Sequence, residues 1–193
     1  MVGATSLSRR EKAAVVAAAV APDLDGLGAI PELLTRNTAH PLLWFSQYHH
    51  ALHTLAFAVL VTIAAFLLSA SANFSFGPKI QGRPIVPRPW TTAALAFLSF
   101  HLHLLCDLAG SRGPDGDPWP IPYFKPFSNA VNLVWRHQWP LNGWQNFVFT
   151  AALLVTTLWM AWKRGNSPLE FVSTKANAAL VNVLRARFGE RRA

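Results

Sequence analysis

Residues 90–108 read WTTAALAFLSFHLHLLCDL, an apolar run of bilayer-crossing length that nonetheless carries His101, His103 and Asp107. About 20 apolar residues span the hydrocarbon core. Ionisable side chains inside such a run are costly, so each one is a candidate for function. Two further runs have the same character: ALHTLAFAVLVTIAAFLLSASA at 51–72 and WQNFVFTAALLVTTLWMAW at 144–162, the latter with a Trp at each end as interfacial anchors. These runs predict an all-α protein, a small helical membrane bundle with about three transmembrane helices, a short N-terminal helix and an amphipathic C-terminal helix.

The rest of the chain agrees. Of 193 residues, 52% are hydrophobic and 13% charged, with eight Trp, a balance wrong for an ordinary soluble domain. The net charge of +8 lies in loops and at the C-terminus, with no basic stripe interleaved with aromatics. That excludes a nucleic-acid partner and favours contact with membrane lipids. A single cysteine, Cys106, excludes an internal disulfide and a CxxC metal knuckle. The segment FGPKIQGRPIVPRPW holds four prolines and separates the first two runs as a loop. A longer loop, 110–143, separates the second from the third. Residues 1–165 are expected as the membrane-embedded domain and 166–193 as a basic amphipathic tail starting near Ser167. Arg9, Arg10 and Lys12 before AAVVAAAVA resemble a signal peptide with a cleavage site at Ala21. Cleavage would strip the helix leading into Pro22-Asp23, so the segment is expected to remain, too short to span.

The acidic and imidazole groups are sorted. Every Asp falls in APDLDGLG (Asp23, Asp25) or in the stretch from Asp107 to Asp117, and His49, His50, His53, His101 and His103 stand in or beside the apolar runs. His103 and Asp107 are four apart, on one helical face, where an imidazole and a carboxylate can share a divalent ion. His49 and His53 have the same spacing, and His50 and His53 are three apart. His101 points elsewhere and is expected to pack or support. With three spans, Asp23/Asp25, the histidines opening the first run, His103/Asp107 and the 110–143 loop all fall at one face. Asp115 and Asp117 read as a solvated turn, with a second ion as the other choice. GPDGDPWPIPYFKPF reads as a rigid interfacial lid, and His40 and His137 as structural.

At these residues the chain resembles the bacterial membrane-bound metal-dependent hydrolase family of the inner membrane. The elements carrying the likeness are Pro22-Asp23-Leu24-Asp25, Tyr48-His49-His50-Ala51-Leu52-His53-Thr54, and His103-Leu104-Leu105-Cys106-Asp107 followed by a Gly/Pro loop. The likeness covers residues 20 to 165. The family's commoner HRGxTH-like element is replaced here by histidines four or three apart, which leaves His49 and His50 as alternative ligands. The resemblance implies a helical fold, a divalent metal and hydrolysis. The HxxxD pair is also similar to that of zinc-dependent phospholipases C, making a phosphoester or lipid-linked substrate the natural expectation.

The resulting expectation is a metal-dependent hydrolase with Asp23, Asp25, His49, His50, His53, His103 and Asp107 as metal ligands and Asp25 as general base. Zinc is the first choice of metal, with manganese or magnesium as alternatives, and no obligate protein partner is implied. The rival is a non-enzymatic scaffold or regulatory protein with a structural ion. Lys/Arg counts near the runs place the metal face outside the cytoplasm.

Overall fold

The computed structural model describes residues 7–48, 50–71, 79–80, 83–84, 88–113 and 116–189. The chain forms two compact units, Met1–Gln138 and Trp139–Ala193.

In the first unit, α1 (Arg9–Val20) opens on a capping box. The Ser8 side chain accepts from the Glu11 N–H, and the Glu11 side chain accepts from the Ser8 N–H, satisfying two orphan donors at once. Pro22 and two glycines then tighten the chain into a 3₁₀ segment, Ala21–Gly28, which continues into α2 (Ala29–Thr35). A short α3 (Trp44–Tyr48) follows. α4 (Leu55–Ser71) and α5 (Pro89–Gly110) complete the bundle, with a two-residue antiparallel pair, Lys79–Ile80 with Arg83–Pro84, between them. α1 packs against both α4 and α5, and α4 against α5. Ala18, Ala65 and Ala96 meet at the crossing, where small side chains let helices approach closely. Toward the other end Ala21, Ala58, Phe100, Leu104 and Ile121 form a second cluster. The outward faces of α4 and α5 are apolar and exposed, as at Leu60, Leu67, Leu98 and Leu102, which suits lipid as the surrounding solvent.

Among the described residues three helices are long and apolar enough to cross a membrane, which agrees with the helical membrane class expected from the sequence, but their identity differs. They are Arg9–Thr35, Pro89–Gly110 and Trp144–Arg164, while Leu55–Ser71 is a shorter apolar helix. The N-terminal segment, expected to be too short, reaches 27 residues because helix continues through Pro22 in 3₁₀ form. The run at 51–72 loses its first turn because Thr54 caps α4: its hydroxyl accepts from the Phe57 N–H at 3.1 Å. His50 and His53 therefore lie before the helix, joined by a turn in which the His53 N–H donates to the His50 carbonyl. Their spacing is a turn geometry, not a helical face.

The loop after α5 is pinned. Ile121 and Leu133 exchange both backbone hydrogen bonds. Gln138, 2% exposed, accepts from the Trp119 N–H and donates to the carbonyls of Trp119 and Asp107. The Leu55 N–H donates to the Tyr123 carbonyl, tying the loop to the start of α4.

In the second unit, α6 (Trp144–Arg164) ends at Gly165, whose positive φ of 76° is the left-handed cap that glycine favours. The tail is two helices rather than one: α7 (Leu169–Val172) stops at extended Ser173, which then caps α8 (Thr174–Phe188) by accepting from the Ala176 N–H.

Candidate metal centre

Three stretches of chain meet at the C-terminal end of α5. The 3₁₀ segment brings Asp23 and Asp25, the turn before α4 brings His53, and α5 brings His103 and Asp107, one helical turn apart. Asp107 Oδ2 lies 3.1 Å from His53 Nε2 and 3.1 Å from His103 Nε2. Asp23 Oδ1 lies 3.4 Å from His103 Nε2. One donor atom each from Asp23, His53 and His103 falls within 4.8 Å of the others. His53 is fully buried, the side chains of His103 and Asp107 are 17% and 24% exposed, and Asp23 is 58% exposed at the mouth.

The donor chemistry fits a divalent cation. Imidazole nitrogens and carboxylate oxygens are its usual ligands, and His103 Nε2 and Asp107 Oδ2 are buried without a well-formed hydrogen bond, a costly state that a shared cation relieves. His53, His103 and Asp107 would hold the ion, with Asp23 at the rim.

Asp25 stands elsewhere. Its Oδ2 accepts from the Leu52 N–H at 3.0 Å and lies 3.5 Å from His53 Nδ1, and the side chain is 6% exposed. It thus backs His53 on the ring edge away from Asp107. His53 itself lies outside the membrane-spanning segments. Burial alone would lower its pKa, but the Asp107 and Asp25 carboxylates outweigh this and push it up to about 9.

The other histidines divide. His49 lies outside the described residues. The His50 ring packs edge-on to His53, with centroids 4.7 Å apart, and to Trp119, but contributes no donor to the converging set. His101 supports, as expected: Nδ1 donates to the Phe97 carbonyl at 2.8 Å and Nε2 accepts from the Tyr123 hydroxyl at 2.7 Å. Asp117 is exposed, its carbonyl accepting from the Gly113 N–H, while Asp115 lies outside the described residues.

Two residues with structural consequences escaped the sequence. Gln138 holds the loop to the end of α5, and nothing in its local sequence marks it. Glu11 is 2% exposed and accepts from the Ser69 hydroxyl at 2.6 Å and the Arg88 N–H at 2.7 Å. The S-x-x-E capping pattern at Ser8–Glu11 was the available signal for it.

A chain with helices of bilayer length and Asp and His donors converging at the C-terminal end of α5 is an integral membrane protein with a candidate metal centre. The family model of the YdjM inner membrane protein matches residues 2–186, and the chain belongs to that family. No curated protein and no solved structure matches it.

Proposed function

We propose that the protein is a membrane-embedded metal-dependent hydrolase acting on a phosphoester in a lipid-linked or headgroup substrate. The observation that carries this reading is the approach of His53 Nε2 and His103 Nε2 to a common Asp107 oxygen, each at 3.1 Å. Three protein donors with an accessible side are the pattern of catalytic rather than closed structural sites. When bound there, a divalent ion lowers the pKa of a water and polarises a scissile oxygen.

The chain's own residues supply the rest. His53 and His103 bind through Nε2, and Asp25 orients His53 through Nδ1, as carboxylates commonly do behind metal-binding imidazoles. The role of proton acceptor, expected for Asp25, passes in this reading to Asp23. Asp25 is buried and committed to Leu52 and His53, whereas Asp23 is the most exposed of the three carboxylates. A lipid-linked substrate is supported by a largely apolar hollow of about 350 Å³ lined by Asp25 and walled by Leu24, Leu27, Pro31 and Trp44.

The test is elemental analysis of the detergent-purified protein followed by a phosphodiester and phospholipid panel. Bound metal and turnover, both lost in His103→Ala, are expected, while Asp23→Asn should keep the metal and lose turnover. Absence of metal from the wild-type protein, or its retention in a His53→Ala/His103→Ala variant, overturns the reading. Metal without turnover on any substrate leaves the structural-ion scaffold.

A further inference from the structure

Next to the candidate metal centre, with His50 in its wall, lies a second hollow of about 470 Å³, within the usual size of small-molecule sites. We propose that it is a binding subsite for a phosphate-bearing headgroup, with Lys125 as the residue that recognises the anion. The inference deepens the hydrolase reading and rests on it for the choice of anion.

Position comes first. His50 lines this hollow and its ring lies against that of His53, so a group seated here is one imidazole away from the candidate metal ligands. The hollow is also preformed. Gln138 fixes the backbone of Trp119 on both sides, and Gly113 lies so close to the Trp119 indole nitrogen that a Cβ there would collide with it. Trp119 and Phe45 supply apolar wall.

Charge decides the ligand class. The metal centre gathers the carboxylates of Asp23, Asp25 and Asp107, so an anionic substrate approaching it needs a countercharge of its own. Lys125 is the cationic residue of the lining, with the Asn132 carboxamide beside it as a further donor. Neither side chain hydrogen-bonds or pairs with another described residue. Ser46 also lines the hollow, but its hydroxyl and N–H are both committed to Glu32, so the proposal rests on Lys125 and Asn132. An ammonium with three hydrogens and a neutral amide suit phosphate oxygens.

Calorimetric titration of the zinc-loaded, detergent-purified chain with sn-glycerol 3-phosphate and with short-chain phosphatidic acid tests this. Saturable binding of at least one probe is expected, weakened about tenfold or more in Lys125→Ala, as loss of a charged hydrogen bond predicts, and largely kept in Lys125→Arg. Binding of the soluble ester means that phosphate alone suffices, and binding of phosphatidic acid alone identifies a lipid headgroup. Lys125 is exposed, so an unchanged melting temperature is expected for both variants. No binding of either probe, or wild-type affinity in Lys125→Ala, overturns the subsite even if the protein proves to be a hydrolase. Lys125-dependent binding without turnover keeps the subsite and removes the hydrolase reading.

Discussion

Asp25 Oδ2 lies 3.5 Å from Nδ1 of His53 while accepting the neighbouring Leu52 N–H at 3.0 Å. The carboxylate thereby fixes both the ring orientation of His53 and the turn that carries it, leaving Nε2 directed toward Asp107. Removing such a supporting carboxylate weakens metal binding rather than abolishing it. Asp25→Asn is expected to lower metal affinity about 10- to 100-fold with unchanged stoichiometry at saturating metal, measured by competition with a chromophoric chelator. Loss of stoichiometry at saturation would make Asp25 a direct ligand instead.

The raised pKa of His53, about 9, is expected to give the metal-free protein and a metal-loaded one opposite pH dependences. Without metal, the protonated imidazole lies between Asp25 and Asp107. Because its folded pKa is above the ordinary value, this contribution is fully present below about pH 6.5 and is lost as pH rises through about 9. With metal, the proton must leave first, so the association constant should climb about tenfold per pH unit between roughly pH 7 and 9 and then level. Thermal melts of chelator-treated and zinc-loaded protein across this range should slope in opposite directions. Parallel slopes would mean that His53 does not carry the exchanged proton.

Glu11 acts at the far end of the bundle. It joins the start of α1 to Ser69 near the end of α4 and to Arg88 before α5. Asp107 lies about 28 Å further along α5 than Arg88 at helical rise, close to the hydrocarbon thickness of a bilayer. Glu11→Ala removes a cap and leaves the buried Ser69 hydroxyl without its acceptor, so a loss of about 2–4 kcal/mol is expected, read as a lowered melting temperature in detergent. Metal affinity in the same variant should stay near wild type. A parallel loss of metal binding would show that the two ends are coupled through the helices.

The helical membrane class was legible because apolar length and interfacial Trp act through composition, which needs no tertiary information. Asp23, His53, His103 and Asp107 could be named as candidates because ionisable groups in apolar runs are few and costly. Helical spacing correctly joined His103 to Asp107, since both lie within α5. The same spacing argument failed for His50 and His53, because the Thr54 cap starts α4 after them. The supporting position of Asp25 was hidden for a different reason. It depends on a hydrogen bond to Leu52, 27 residues away, and no local pattern encodes such a contact.

The continuation of helix through Arg9–Thr35 also sharpens sidedness. Glu11 contacts Arg88, which brings Arg9, Arg10 and Lys12 to the same end of the first unit as Arg88 and the loop containing Lys79 and Arg83. Arg112, Lys125 and Arg136 belong to the loop after α5, with Arg36 just beyond α2. Basic residues near the ends of spans are held on the cytoplasmic side, so the Glu11 end is expected inside and the metal centre outside. Cys106 is the sole native cysteine, so Cys106→Ser gives a clean background for single-cysteine labelling. In intact cells a membrane-impermeant maleimide should label Phe127→Cys in the loop after α5, and should label Lys12→Cys only after the membrane is opened. The reverse pattern would put the metal centre in the cytoplasm and require a substrate delivered from that side.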